Sequence, residues 1–298
     1  KGVFINKFRG DESLLKNGIE KIEKLCQTKV IAVLPYIKNL LIEEEDSLAL
    51  DTKNKKNIDP SLIDIAVIRY PRISNYTDML VFEKHTSCNV RYVETPQQLA
   101  SPDIIFLPGS KNTRADLQWM KDNQLFNAIC NYKKNNGVIF GICGGFQMLG
   151  NEISDPSGIE GKPGKSKGFA FLNIKTVIAK SKKLTQVKGK LTANLPFCKK
   201  GTPFEGYEIH MGKTYGSKKN ILEIEKNKKT ENIAVISDDN RVFGTYIHGF
   251  FDSDEISTGL LKWLAEKSGK KLTKFHNTKN TNFENFTQIL KSKIKNSQ

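Results

Sequence analysis

The segment Gly141-Ile142-Cys143-Gly144-Gly145 lies between an apolar run, Gly137 to Ile142, and a stretch opening Phe146-Gln147-Met148-Leu149 that reads as a helix. A cysteine flanked by glycines at a strand-to-helix turn has the pattern of a nucleophile elbow, with sulfur in place of oxygen. The glycines permit a strained turn that lifts the side chain to the carboxyl end of the strand. The sulfur then meets a helix amino terminus, where the positive end of the dipole favours thiolate over thiol. A buried, inert thiol is the commoner state of cysteine. Glycines on both sides, in the order strand, turn, helix, favour the nucleophile.

A thiolate needs a proton carrier, and the chain has four histidines: His85, His210, His248 and His276. His248 ends the apolar run Val242 to Ile247 and precedes a helical pattern, so it can reach the same carboxyl edge as Cys143. A cysteine and a distant histidine at two strand ends fit a spatially assembled pair; a strand-end histidine bonded only to its own turn is the bland alternative. Acyl transfer also needs donors aimed at the developing oxyanion. Two sources are readable, the Gly144 amide and the loop Leu107-Pro108-Gly109-Ser110-Lys111, where Gly109 and Ser110 bring backbone amides close to a substrate. Two lookalikes of a phosphate-binding loop, Gly158 to Ser166 and Gly206 to Thr214, each have five residues between their glycines. The motif needs four in a strand-to-helix turn, so neither qualifies and no ATP phosphate site is evident.

The elements around these residues predict a doubly wound, mostly parallel α/β sheet. Short apolar runs at Ile63 to Ile68, Val90 to Val93, Ile104 to Leu107 and Gly137 to Ile142 alternate with helical patterns over about 75 to 86 and 113 to 135. From Gly168 onward strands dominate, at Phe169 to Ala179, Leu184 to Leu191, Gly206 to Met211, Ile233 to Ile236 and Val242 to Ile247, predicting an antiparallel extension. A helix over 254 to 267 follows. Ahead of this series, Val3-Phe4-Ile5, an amphipathic stretch over 12 to 25 and Val30 to Leu34 form a strand, helix, strand unit. Polar residues from Glu43 to Asn57 then read as a linker, placing a boundary near residue 58. The expected division is 1–57, 58–268 and a Lys/Asn-rich tail at 269–298.

The 298 residues suit one large domain or two modest ones. No apolar run approaches the roughly 20 residues of a membrane helix, so no membrane partner is expected. The chain opens Lys1-Gly2-Val3 without methionine or signal peptide, as expected of a piece of a larger gene product. Five scattered cysteines without a C-x-x-C pair argue against a disulfide framework and a zinc site, and fit a reducing cytoplasm; no metal is expected. The net charge of +15 comes from lysines spread through Asn/Lys-rich turns, without an aromatic platform or groove-reading motif. Nucleic acid is therefore not expected as a partner.

The residues together resemble the class I-like glutamine amidotransferase domain of the cobyric acid synthase family. The resemblance covers nearly the whole chain and rests on Asn6 to Asp11, Val33 to Tyr36, Glu44 to Ser47, Leu107 to Lys111, the Gly141 to Gly150 elbow, Asp155-Pro156 with Glu160-Gly161, Gly206-Tyr207-Glu208-Ile209-His210-Met211-Gly212, and Gly244 to Gly249. It implies that Cys143 attacks the glutamine side-chain amide, that His248 carries the proton to departing ammonia, and that Gly109, Ser110, Gly144 and Gln147 bind glutamine or its oxyanion. It implies that Tyr207, Glu208 and His210 meet the acceptor or a domain interface; a half-buried strand histidine is the plain reading of His210. It further implies a corrinoid acid acceptor, no cofactor bound by this chain, and ATP with Mg2+ held by an upstream domain, in cis or in trans, of which residues 1–57 resemble the end. Ordinary triad glutaminases place Glu two residues after the histidine, but position 250 is Phe and the next carboxylate is Asp252. A Cys-His dyad, or an orienting group from elsewhere, is implied. Two other readings remain at this point: an amidotransferase for another carboxylate acceptor, and a non-catalytic binding module that keeps the elbow as scaffold.

Overall fold

The computed structural model describes residues 2–36, 59–217, 219–224, 232–273 and 279–295. The Glu44 to Ser47 motif, the polar stretch from Glu43 to Asn57 and the expected boundary at residue 58 lie outside them. The chain divides into two compact units, one formed by Lys1–Glu43 with His276–Gln298, the other by Glu44–Phe275. In the smaller unit, strand Val3–Phe8 pairs in parallel with Val30–Pro35 through the crossover helix Lys16–Cys26. The helix Lys279–Lys295, within the stretch read from sequence as a tail, lies against the strand Val30–Pro35. Among the described residues no helix is long and apolar enough to cross a membrane.

The larger unit holds a six-stranded sheet ordered Ala234–Ile236, Val242–Thr245, Ile139–Ile142, Ile104–Leu107, Ile63–Ile68, Cys88–Val93. Only the edge strand Ala234–Ile236 runs antiparallel. The parallel strands read as apolar runs because both faces are covered, as for Ile63–Ile68, buried at every position. Its one charged member, Asp64, is met by Arg91 at 2.8 Å from the neighbouring strand. Strand order reverses between Ile63–Ile68 and Ile104–Leu107, the place where open α/β sheets form a ligand crevice at their carboxyl ends.

The second sheet is the expected extension, in the order Gly164–Lys167, Glu152–Asp155, Lys175–Leu191, Pro203–Tyr215, Ile247–His248, with Leu222–Ile224 also paired to Lys175–Leu191. All its pairings are antiparallel except that of Glu152–Asp155 with Lys175–Leu191.

Local hydrogen bonds and backbone angles account for several departures from the sequence expectation. The pattern over 113 to 135 is two helices, Thr113–Asp122 and Leu125–Lys134, broken where Gln124 takes a φ of 62° and the Asn123 side chain bonds the Trp119 carbonyl. The first half of the expected strand from Phe169 is a turn, because the amides of Phe169 to Leu172 bond carbonyls of Met148 to Gly150 rather than a strand partner. The run Val242 to Ile247 is two strands in different sheets. Thr245 Oγ1 donates to the Ile233 carbonyl and accepts from the Ile247 amide, a side-chain turn that redirects the chain at Tyr246. That break carries His248 from the first sheet to the second, into register with Tyr207.

Candidate active site

Cys143 caps the strand Ile139–Ile142 with φ 52° and ψ −107°, a backbone conformation that side chains other than glycine rarely hold and one that marks functional turns. The turn is held by Cys143 N to Thr245 O at 2.8 Å and Gly145 N to Pro108 O at 3.0 Å. Glycine at 145 is a steric necessity, since a Cβ there would lie 1.9 Å from the Leu107 carbonyl oxygen. Gly145→Ala should therefore lose about 3 kcal/mol or more of stability in denaturant unfolding, because backbone on both sides must move; an alanine variant within 1 kcal/mol of wild type contradicts this account of the elbow. Cys143 Sγ donates to the Ile209 carbonyl at 3.4 Å, and the residue keeps 9% of its surface exposed.

The imidazole of His248 is fully buried. Its Nδ1 donates to Asp78 Oδ2 at 2.8 Å, and Asp78 Oδ1 accepts the Gly249 amide at 2.8 Å. Nδ1 is thereby committed, while Nε2 has no hydrogen-bond partner of standard length among the described residues. Tyr207 stacks on the ring at 5.2 Å between centroids, its hydroxyl accepting from Asn75 Nδ2 at 3.0 Å. Burial alone would lower the basicity of the imidazole. The charge and hydrogen bond of Asp78, joined by the adjacent Cys143 sulfur, outweigh it and raise the pKa to about 10. The charged form of the ring is thereby favoured next to the sulfur.

Asp78 is the orienting group that the chain after His248 does not supply. It comes from the 3-10 turn Tyr76–Met79, opened by Asn75 at φ 52°, within the stretch read from sequence as a plain helix. No local spacing signals it, since it stands 170 positions before the histidine.

The loop holding Gly109 and Ser110 meets the elbow directly. A Cβ on Gly144 would lie 2.8 Å from the Ser110 amide nitrogen, and one on Gly109 would lie 3.6 Å from His248 Cε1. The structure thus gathers Gly109, Ser110, Gly144, Cys143 and His248 at one point. Beneath the loop sits Asp116, fully buried and also unforeseen from sequence. It accepts from Ser110 Oγ at 2.5 Å and from the Arg72 amide at 3.3 Å, while the Tyr70 hydroxyl donates to the Pro108 carbonyl. Burial pushes the Asp116 carboxyl above the usual range, against the pull of Ser110 and Arg72.

Gln147 lies one helical turn beyond the nucleophile with both ends of its amide engaged. Its Oε1 accepts from Thr113 Oγ1 at 3.0 Å and its Nε2 donates to Tyr246 OH at 3.1 Å, and the chain continues to Thr214 and Thr176. The Asp155 and Glu160 motif serves the same framework: Asp155 accepts the amides of Ile159 and Glu160, and Glu160 accepts the Thr113 amide at 2.7 Å. Glu208 and His210 are buried, at 1% and 8% exposure, on the strand whose Ile209 carbonyl meets the sulfur.

The elbow cysteine thus stands at the carboxyl edge of a doubly wound sheet, beside an imidazole anchored by an acid. Residues 64–256 match the family described as CobB/CobQ-like glutamine amidotransferase domain. The chain is 38% identical over 308 residues to the cobyric acid synthase of Listeria innocua, covering 100% of this chain and 59% of that protein. To the cobyric acid synthase of Chlorobium phaeobacteroides it is 41% identical over 259 residues, covering 85% of this chain and 51% of that one. In fold it is similar to a chain in the solved structure of PurLQS from Thermotoga maritima, with TM-score 0.50, 18% identity, and coverage of 69% and 96%. The chain belongs to the CobB/CobQ-like glutamine amidotransferase family. It spans about half to three-fifths of the length of the curated relatives it matches.

Proposed function

We propose that Cys143 and His248 hydrolyse glutamine and that the ammonia serves the amidation of corrin side-chain carboxylates, b, d, e and g of adenosylcobyrinic acid a,c-diamide, in cobalamin biosynthesis. The observation that carries the catalytic reading is the imidazole with Nδ1 held by Asp78 and Nε2 left to the sulfur. The acceptor rests on relatives named cobyric acid synthase.

In this reading the Cys143 thiolate adds to the carboxamide carbon of glutamine, and the oxyanion meets the amides near Gly144 and Ser110. His248 gives its Nε2 proton to the amide nitrogen, the carbon–nitrogen bond breaks, and ammonia leaves a glutamyl thioester on Cys143. The neutral imidazole then takes a proton from water as the resulting hydroxide attacks the thioester. Glutamate departs, and the thiolate–imidazolium pair is restored. Asp78 keeps Nδ1 protonated throughout and supports the positive ring. ATP and Mg2+ would activate the acceptor in a part of the protein outside this chain.

The acceptor is tested by combining the chain with the ATP-dependent portion of a cobyric acid synthase and measuring amidation of the a,c-diamide. Glutamine should drive amidation with the wild-type chain, and ammonium salts should drive it with or without the chain. Amidation from ammonium salts that glutamine plus this chain does not support overturns the reading.

A further inference from the structure

Asp116 takes no part in the steps above, yet its carboxylate lies fully buried beneath the loop that faces the elbow. It belongs to the first turn of the helix Thr113–Asp122, which Asn112 caps. A carboxylate is costly to bury unless donors surround it. Here Oδ2 accepts from Ser110 Oγ at 2.5 Å, and Oδ1 accepts from the Arg72 amide at 3.3 Å. The Arg72 guanidinium stands 3.4 Å away and is half exposed, so its charge adds little.

The Ser110 oxygen itself accepts the Asn112 amide at 3.0 Å, so its own proton is the one given to Asp116. That fixes the hydroxyl. The next residue, Lys111, donates its amide to the Arg72 carbonyl at 2.9 Å, and Asp116 thereby joins three pieces of chain: Arg72, the Ser110 loop and its own helix. The backbone amide of the same Ser110 is the group that a Cβ on Gly144 would approach to 2.8 Å, one residue beyond the nucleophile. Moving Ser110 therefore moves a donor at the reacting centre. An oxyanion forms only as the sulfur adds, so a donor displaced by about 1 Å costs rate, by about 10²-fold, and leaves substrate binding alone.

We propose that Asp116 is a positioning residue for glutamine hydrolysis, holding the Ser110 amide at the developing oxyanion through the Ser110 hydroxyl. This rests on the glutaminase reading. It gives the buried carboxylate a part in the rate of the chemical step, beyond its part in packing the loop.

The test compares wild type, Asp116→Asn, Ser110→Ala and the double variant. Four quantities are measured: kcat and KM on glutamine, the inhibition constant of glutamate, and the rate at which iodoacetamide alkylates Cys143, a displacement that develops no oxyanion. Each single variant should lose about 10- to 100-fold in kcat. KM, glutamate inhibition and alkylation should stay within about twofold of wild type, which also shows that the elbow is folded. The double variant should lose no more than the worse single one, because the same connection is cut twice. Ser110→Thr, which keeps a hydroxyl, should recover part of the loss. Should Asp116→Asn fail to fold, Ser110→Ala decides by the same contrast of kcat with alkylation. Unchanged kcat in Ser110→Ala, multiplying losses in the double variant, or alkylation that falls as far as kcat each overturn the proposal. A wild-type chain that releases no ammonia from glutamine overturns the glutaminase reading and this assignment with it, whereas an active wild type with unaffected variants overturns the assignment alone.

Discussion

Cys143→Ala should lower ammonia release from glutamine by at least about 10⁴-fold, because removing a covalent nucleophile leaves only what binding and oxyanion donors contribute. The elbow geometry makes the expectation sharp. Cys143 is held at φ 52° between two strand ends, and Gly145 approaches the Leu107 carbonyl too closely for any side chain. No neighbouring residue can take over the position without rebuilding the turn. The other cysteines lie elsewhere: Cys26 is exposed, Cys88 and Cys130 are half-buried, and Cys198 is buried with its thiol pushed up to about 11 by burial and Glu255. A Cys143→Ala chain that retains wild-type turnover, measured as ammonia formed at saturating glutamine, shows that the nucleophile is misassigned.

The second large effect belongs to Asp78. Asp78→Asn keeps the shape but removes the charge that holds Nδ1–H of His248, and kcat should fall about 10²- to 10⁴-fold with little change in KM. Lost packing alone would not alter the pH profile, whereas loss of an orienting charge must. His248 stands at about 10 against an ordinary 6.5, raised by Asp78 and by the neighbouring sulfur against the pull of burial. In the reactive form the ring carries its proton, so activity is lost as pH rises through that value. Without Asp78 the imidazole loses its proton earlier, and the alkaline limb of the pH–rate profile moves toward neutrality. The same shift is a stability statement. A pKa raised on folding contributes stability fully present below about 6.5 and lost as pH climbs to about 10. Wild-type thermal stability should decline across that window, and the decline should flatten in Asp78→Asn. An asparagine variant with both profiles unchanged removes Asp78 from the site.

Much of this architecture was open to reading before any coordinates. Apolar runs such as Ile63 to Ile68 and Ile104 to Leu107 announce doubly covered strands, because a parallel sheet buries both faces. The elbow is legible because glycine spacing encodes a backbone turn locally. The helical pattern read over about 113 to 135 did not show the break at Gln124, where one left-handed residue outweighs a periodic apolar pattern. The strand expected over Val242 to Ile247 missed the change of sheet at Tyr246, set by hydrogen bonds of the Thr245 hydroxyl. That second miss matters more for function, since the change of sheet is what sets His248 beside Tyr207.

Sequence by itself determined the turn at Cys143, the strand end at His248 and the two-sheet plan, because backbone angles and apolar periodicity are local properties written in neighbouring residues. Tertiary structure alone decided that Asp78 anchors His248, that Asp116 braces the Ser110 loop, and that Glu208 faces both Lys183 and His210. Those relations join residues with no common spacing, and they exist only once strand order and the fold at Tyr246 have brought distant segments within hydrogen-bonding distance.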